Sequence, residues 1–337
     1  MRPAETIDQQ YDLARWWNTD GGFNVAVNYL LSIDGVDRPA WYAFSPLQQQ
    51  HYRSRAEQIT DMQKTVLLSA ETFWVSADMV ALSSHASQSM PPQPLRATDL
   101  PTPRGFMWLE QPVLVKDASR GNVRVRAVVW TTAGEGEFGA WNPHGRDLGL
   151  SVAIYGEMEP DHPFLVALRE AKIDTPQLLF FTAQPWEFGQ DYTRADTTPF
   201  YGNPTQEEQE AITRANESLF RFLAASWQLM QQAITTETTV GPNRATRKRL
   251  HRAGLLDESV KREVRIITLR RRKEKPVGAE GDGQPVNWSH RWIVSGFWRN
   301  QWYPSLGEHR QIWIEEYVKG PPEKPLVIKN TVFKLSR

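Results

Sequence analysis

The sequence predicts an α+β fold: N-terminal helices, a central mostly antiparallel sheet, a long amphipathic helix laid on it, and a C-terminal strand set. Three observations predict it. Helix-like spacing of apolar residues dominates the first 86 positions, and period-two alternation marks the segments from Phe106 onward. No strand–helix–strand rhythm of the kind that builds a parallel sheet accompanies them. The chain has 337 residues, 40% hydrophobic and 23% charged, with 14 Trp and 14 Phe to fill a sizeable core.

The first helical stretch covers 5–35. Tyr11, Ala14 and Trp17 share a stripe, Gly21-Gly22 breaks it, and apolar residues resume from Val25 to Leu31. The adjacent Trp16 and Trp17 read as core. Ser45-Pro46-Leu47-Gln48 is a helix start, with Ser as N-cap, Pro at the first helical position and Gln placed for a capping box. Ile59, Met62, Val66, Phe73, Ala77 and Val80 continue the helical spacing. The stretch 46–86 is long for one helix, so it should kink or break. Ser87 to Pro103 is rich in Pro and Ser, which predicts a linker at about 87–103 between a helical part, 1–90, and an α+β domain, 104–337.

Phe106–Val115, Val123–Thr132, Leu150–Tyr155 and Leu178–Thr182 read as strands, the first two joined by a turn at Asp117–Asn122. Gly134 to Asp147 is Gly-rich and irregular, and reads as a lid or a plain surface loop. Thr205-Gln-Glu-Glu208 is a second capping box, opening a helix over 206–234. Its apolar face is Ile212, Ala215, Leu219, Phe222, Leu223, Trp227, Met230 and Ala233. Asn243 caps a short basic helix that ends at Gly254. Glu274 to Asn287 is a Gly- and Pro-bearing loop. Strands at 263–272, 290–298, 311–316 and 326–335 then complete the sheet.

Composition removes several function classes. With no cysteine there is no disulfide framework, Cys-ligated zinc or thiol nucleophile. The N-terminus lacks an apolar signal core, and no apolar run approaches the ~20 residues that cross a bilayer. The expectation is a soluble cytoplasmic protein with no membrane partner. No HExxH, Gly-x-Ser-x-Gly, P-loop or dinucleotide fingerprint is present, so no catalytic residue and no cofactor is assigned.

The net charge of zero hides an asymmetry. Arg244 to Lys275 holds 13 Lys and Arg against four Asp and Glu, a net of +9. Arg244, Arg247, Arg249 and Arg252 lie on the basic helix, and Arg265, Arg270 and Arg272 on the strand that follows. Arg291, Trp292, Trp298, Arg299, Trp302 and Trp313 then interleave cations with aromatics. Positive charge for phosphates beside flat rings for bases suits single-stranded RNA; the same groups suit a peptide groove. Packing of the tryptophans against the 206–234 helix, with the arginines snorkelling around them, competes with both. Glu157, Glu159 and Asp161 alternate after a strand and offer a divalent-metal site for a nuclease, against the plainer reading of a solvated strand end.

Three patterns in this region are familiar. They are Arg-x3-Leu-Arg-Arg-Arg (265–272), Trp-x2-Arg-Trp-x-Val-x-Gly-Phe-Trp-Arg (288–299) and Ile-Trp-Ile-x2-Tyr-Val-Lys-Gly-Pro (312–321). They resemble a broad group of proteins from actinobacteria, their phages and mobile elements. More loosely, they are similar to the anti-CRISPR family that acts against the type V-A effector nuclease. The matching residues are Arg291, Trp292, Gly296, Trp298, Arg299 and Trp313. Phe297 stands where that family more often has His, so no imidazole role carries over. The resemblance implies a phage or mobile-element protein acting in a bacterial host. Its partner would be the N-terminal peptide of a nascent chain at the ribosome, and/or RNA, with loss of the encoding message. A metal-dependent nuclease and a structural phage component are the alternatives.

Overall fold

The structure is a computed structural model and describes residues 2–33, 44–117, 121–132, 149–157, 166, 170, 178–186, 188–191, 205–253, 262–270 and 289–327. Two helices open the chain, α1 (Thr6–Trp16) and α2 (Asp20–Ile33). They part just before the Gly pair, because the two helices approach closely there: a Cβ on Gly22 would stand 2.7 Å from the Trp16 carbonyl oxygen. Helix α3 (Pro46–Ser69) starts at the predicted capping box, formed by Ser45 and Gln48.

The expected break within 46–86 is a strand. β1 (Glu71–Val75) separates α3 from α4 (Ala77–Gln88), whose N-cap hydroxyl, Ser76, accepts from the Met79 N–H. β1 is buried at four of its five positions and pairs in parallel on both sides, with β2 (Arg104–Asp117) and with β7 (Val264–Leu269). Thus β1–α4–β2 is a parallel crossover unit that the sequence rhythm did not show.

The remaining strands of this sheet are β3 (Gly121–Thr132), β4 (Leu150–Glu157), β5 (Leu179–Trp186) and β6 (Thr235–Val240). Their spatial order is β5-β4-β3-β2-β1-β7-β6, with every pairing outside the two at β1 antiparallel. The protein is therefore α+β with a mixed, mostly antiparallel sheet. β2 and β3 form the predicted hairpin, Asp117 opposite Gly121.

Alternate side chains feed two cores, one on each face of the sheet. Phe73, Val75, Met107, Leu109, Val128, Trp130, Val152 and Ile154 face α4 and α5 (Gln206–Met230). Trp74, Phe106, Trp108, Ala127, Val129, Ala153 and Tyr155 face α1, α2 and α3. With both faces covered, sheet residues are buried at successive positions, which blurs the period-two signal. Helix α5 presents Leu219, Phe222, Leu223, Trp227 and Met230 as predicted but ends at Met230, and Ala233 lies beyond it, exposed.

Two expectations are corrected. The 87–103 connector does not divide two cores: it leads from the end of α4 into β2, and residues 7–31 share a core with residues 106–155. The last strands, β7 apart, do not complete the sheet. β8 (Trp292–Val294) pairs with β11 (Tyr317–Lys319), and β9 (Phe297–Tyr303) with β10 (Glu308–Ile314), as two separate ribbons. The strand expected at 290–298 is interrupted at 295–296. Most of the strand expected at 326–335 lies outside the described residues, as do the loops at 134–147 and 274–287. Among the described residues, no helix is long and apolar enough to cross a membrane.

Candidate functional site

The basic helix is α6 (Arg244–Arg252), capped as expected by Asn243, whose side chain accepts from the Thr246 N–H at 2.9 Å. One side of it is anchored. Leu250 is buried in the α1–α3 core, and the Thr246 hydroxyl donates to Asp8. Arg249 pairs with Asp8 and Asp12 and lies 4.6 Å from the Tyr11 ring centroid. That arginine is a structural tie to α1. The other side is free: Arg244, Arg247, Lys248 and Arg252 are exposed, with no ion-pair partner among the described residues. An open cavity of about 500 Å³ runs beside them, lined by Tyr11, Ala245, Lys248, Arg249, Arg252 and Ala253.

The basic strand is mostly committed elsewhere. Arg265 donates through Nε and Nη2 to both carboxylate oxygens of Glu237 at 2.7 Å, and through Nη1 to Glu71 at 2.8 Å. These hydrogen bonds, Glu237 first, hold its pKa above the ordinary arginine value. Arg265 therefore links β6, β7 and β1 rather than waiting for a ligand. Arg270 is exposed at the end of β7, and Arg272 lies outside the described residues.

The tryptophan-dense segment divides in the same way. Trp313 is buried in the α4–α5 core, with Trp298 opposite it in the ribbon. Arg291 donates from Nε to the Lys324 carbonyl at 2.7 Å, and its backbone bridges Leu326. Trp292 is half-buried, with the Lys319 ammonium 5.9 Å from its ring. Phe297, Arg299 and Trp302 are exposed, and Trp302 lies 4.8 Å from the His309 ring.

The predicted residues do not gather on one surface. α6 is fastened to the α1–α3 side of the sheet and the β9–β10 ribbon to the α4–α5 side. The chain between the end of α5 and the start of α6 includes β6, six residues or about 20 Å of extended strand.

The carboxylate alternative is also partly spent. Glu157 pairs with Arg126 at 2.8 Å and Arg124 at 3.7 Å, and Glu159 and Asp161 lie outside the described residues. Among the described residues, no group of three His, Asp or Glu side chains could hold a metal ion.

A polar cavity of about 290 Å³ lies between the 93–99 segment, the end of α5 and β10. Sequence reasoning missed it, because its glutamines are scattered along the chain and form no motif. Burial pushes the Asp99 carboxyl in its wall up from its ordinary value, against the Arg96 N–H that hydrogen-bonds it. Glu308, hydrogen-bonded by Arg310, is held below its ordinary value. No family model and no curated protein matches this chain, so its function is read from this geometry.

Proposed function

We propose that the protein is an RNA-binding protein of phage or mobile-element origin, acting in the bacterial cytoplasm, that holds an RNA backbone against α6. One observation carries the proposal. Four cations on a nine-residue helix are exposed and unpaired, while Arg249 and Arg265 are consumed by intramolecular carboxylates. A rigid row of free cations suits phosphates spaced along a strand. The anti-CRISPR resemblance supports a message near the ribosome as the partner. Peptide recognition through the ribbon would fall to Phe297, Arg299 and Trp302, since Trp298 and Trp313 are engaged in packing.

The test is the salt dependence of binding to a single-stranded RNA, followed by fluorescence anisotropy. Each phosphate contact on a single strand contributes about −0.7 to the slope of log affinity against log salt. Arg244→Ala/Arg247→Ala/Arg252→Ala should therefore weaken binding and flatten the slope by about 2, with the melting transition unchanged. A slope that the triple variant leaves unaltered removes α6 as the site.

A further inference from the structure

The cavity beside β10 combines spare hydrogen-bonding capacity with balanced charge. Three of the glutamines in its wall, Gln93, Gln228 and Gln311, each have one terminal amide atom buried without a partner: Nε2 of Gln93 and Oε1 of the other two. Buried amide atoms are almost always satisfied, so three around one cavity call for an account. Two neighbouring glutamines have no such spare atom. Gln232 accepts from the Trp313 N–H at 2.8 Å and donates to the Gln311 carbonyl at 3.4 Å. Gln231 donates to the Asp99 carbonyl at 2.7 Å.

The two arginines in the wall, Arg96 and Arg310, are both spent on Glu308, which stands outside it. Glu308 accepts from Arg96 through one oxygen and from Arg310 through the other, both at 2.7 Å. Asp99 in the wall and Glu308 bonded to both arginines from outside it balance the two positive charges, which leaves no net charge to favour an ionic ligand. The three amides have capacity left. A half-turn about the last side-chain torsion exchanges the oxygen and the NH2 of each, and no hydrogen bond from the buried atom opposes that turn. The site can thus present donors or acceptors as a ligand edge requires. Tyr303 and His309 add flat surfaces, with Trp302 against the latter.

We propose that this cavity binds a single nucleobase, reading its hydrogen-bonding edge with Gln93, Gln228 and Gln311 while an aromatic side chain stacks on its face. The base chemistry fits each feature: a neutral planar ring with mixed donors and acceptors, the pattern that amide side chains pair with. The volume lies at the small end of ligand cavities, ~300–1,000 Å³, so it admits a base or nucleoside. The base reaches the cavity either as a free nucleoside or as an unstacked base of an RNA strand. The inference does not rest on the α6 reading, since the two sites lie on opposite sides of the sheet.

The experiment titrates the full chain with adenosine, cytidine, guanosine and uridine separately, and with the four corresponding short homopolymeric RNAs. The expected result is a preference for one or two bases. Gln228→Leu/Gln311→Leu, which keeps similar bulk and removes the amides, should weaken that binding at least tenfold. Gln93→Leu, on the connector, is the second variant should the double change disturb the helix. Nucleoside binding that either variant weakens identifies a free-ligand site. Base preference seen with strands alone, and lost in the same variants, identifies an RNA base. Arg244→Ala/Arg247→Ala/Arg252→Ala should leave nucleoside affinity unchanged, so this site and α6 can fail separately. Absence of base-selective binding by nucleosides and strands alike, or binding indifferent to all the glutamine changes, overturns the proposal.

Discussion

Trp298 and Trp313 face one another across the β9–β10 ribbon, their ring centroids 5.4 Å apart and their planes inclined at 68°. The edge-to-face contact suits the aromatic quadrupole, and both rings reach beyond the ribbon. Trp298 Nε1 donates to the Ala86 carbonyl at 2.8 Å, satisfying a backbone acceptor in the last turn of α4. Trp313 lies edge-on to His85 and enters the core. Gly296 is required beside it, because a Cβ there would come within 2.4 Å of the Trp313 ring. Gly296, Trp298 and Trp313 thus fasten the ribbon to the body of the protein.

The two kinds of tryptophan should separate in unfolding experiments. Trp313→Ala removes a buried ring and should cost about 3–5 kcal/mol. Trp302 is 45% exposed, and Trp302→Ala should change stability by less than about 0.5 kcal/mol. Urea titrations giving the two variants equal midpoints would show that Trp313 is not the anchor described.

A second anchor joins α1 to the sheet. Trp17 Nε1 donates to the Tyr155 hydroxyl at 2.9 Å, and that hydroxyl donates to Gln63 Oε1 at 3.1 Å, all three side chains being buried. Burial pushes the phenol pKa up, so Tyr155 keeps its proton. Tyr155→Phe deprives a buried donor and a buried acceptor of their partner, which should cost about 1–3 kcal/mol. A variant as stable as the parent in thermal or urea unfolding would mean that the network rearranges freely.

Local chemistry was legible in the sequence, and distant partnership was not. The Ser45–Gln48 capping box, the Asn243 cap and the β2–β3 hairpin each depend on neighbours a few residues apart. β1 was hidden because Thr72 to Val75 are buried in succession, so Phe73 could be counted into a helical stripe. Among the site residues, Arg247 and Arg249 look alike in sequence; one is free and the other bound, because Asp8 lies 241 residues away. Trp302 and Trp313 are likewise indistinguishable until the ribbon is seen against α4. The cavity glutamines gave no signal at all, since amides at 93, 228 and 311 meet only through the fold.

Arg265 yields a test of geometry rather than charge. Its guanidinium grips Glu237 with two parallel hydrogen bonds and reaches Glu71 with a third, and its planar face lies 4.7 Å from the Phe73 ring centroid. A lysine keeps the charge but cannot form the fork or the stack. Both carboxylates are part-exposed, so solvent weakens the pairs. Arg265→Lys should cost about 1–2 kcal/mol, with little effect on the RNA affinity proposed for α6. A loss of RNA binding without loss of stability would make Arg265 a contact residue after all.

Asp99 supplies the pH dependence. Burial raises its folded pKa, while the Arg96 N–H, Arg96 and Arg310 oppose the rise and Glu308 adds to it. In the unfolded chain the carboxyl ionises near pH 4. Between that value and the raised folded one, the native state holds a proton that the unfolded state has lost. The contribution of Asp99 to stability therefore falls as pH rises through this window, and the cost is complete above the folded pKa. Asp99→Asn removes the ionisation and keeps an oxygen to accept from the Arg96 N–H, as Asp99 does at 2.9 Å. The variant should be more stable than the parent near pH 7, and the gain should shrink as pH approaches 4. Urea titrations of both proteins across that range give the difference directly, with the Glu308 contribution common to both. A gain that stays constant with pH, or a variant less stable near pH 7, would show that the carboxylate is stabilised in the wall rather than penalised by it.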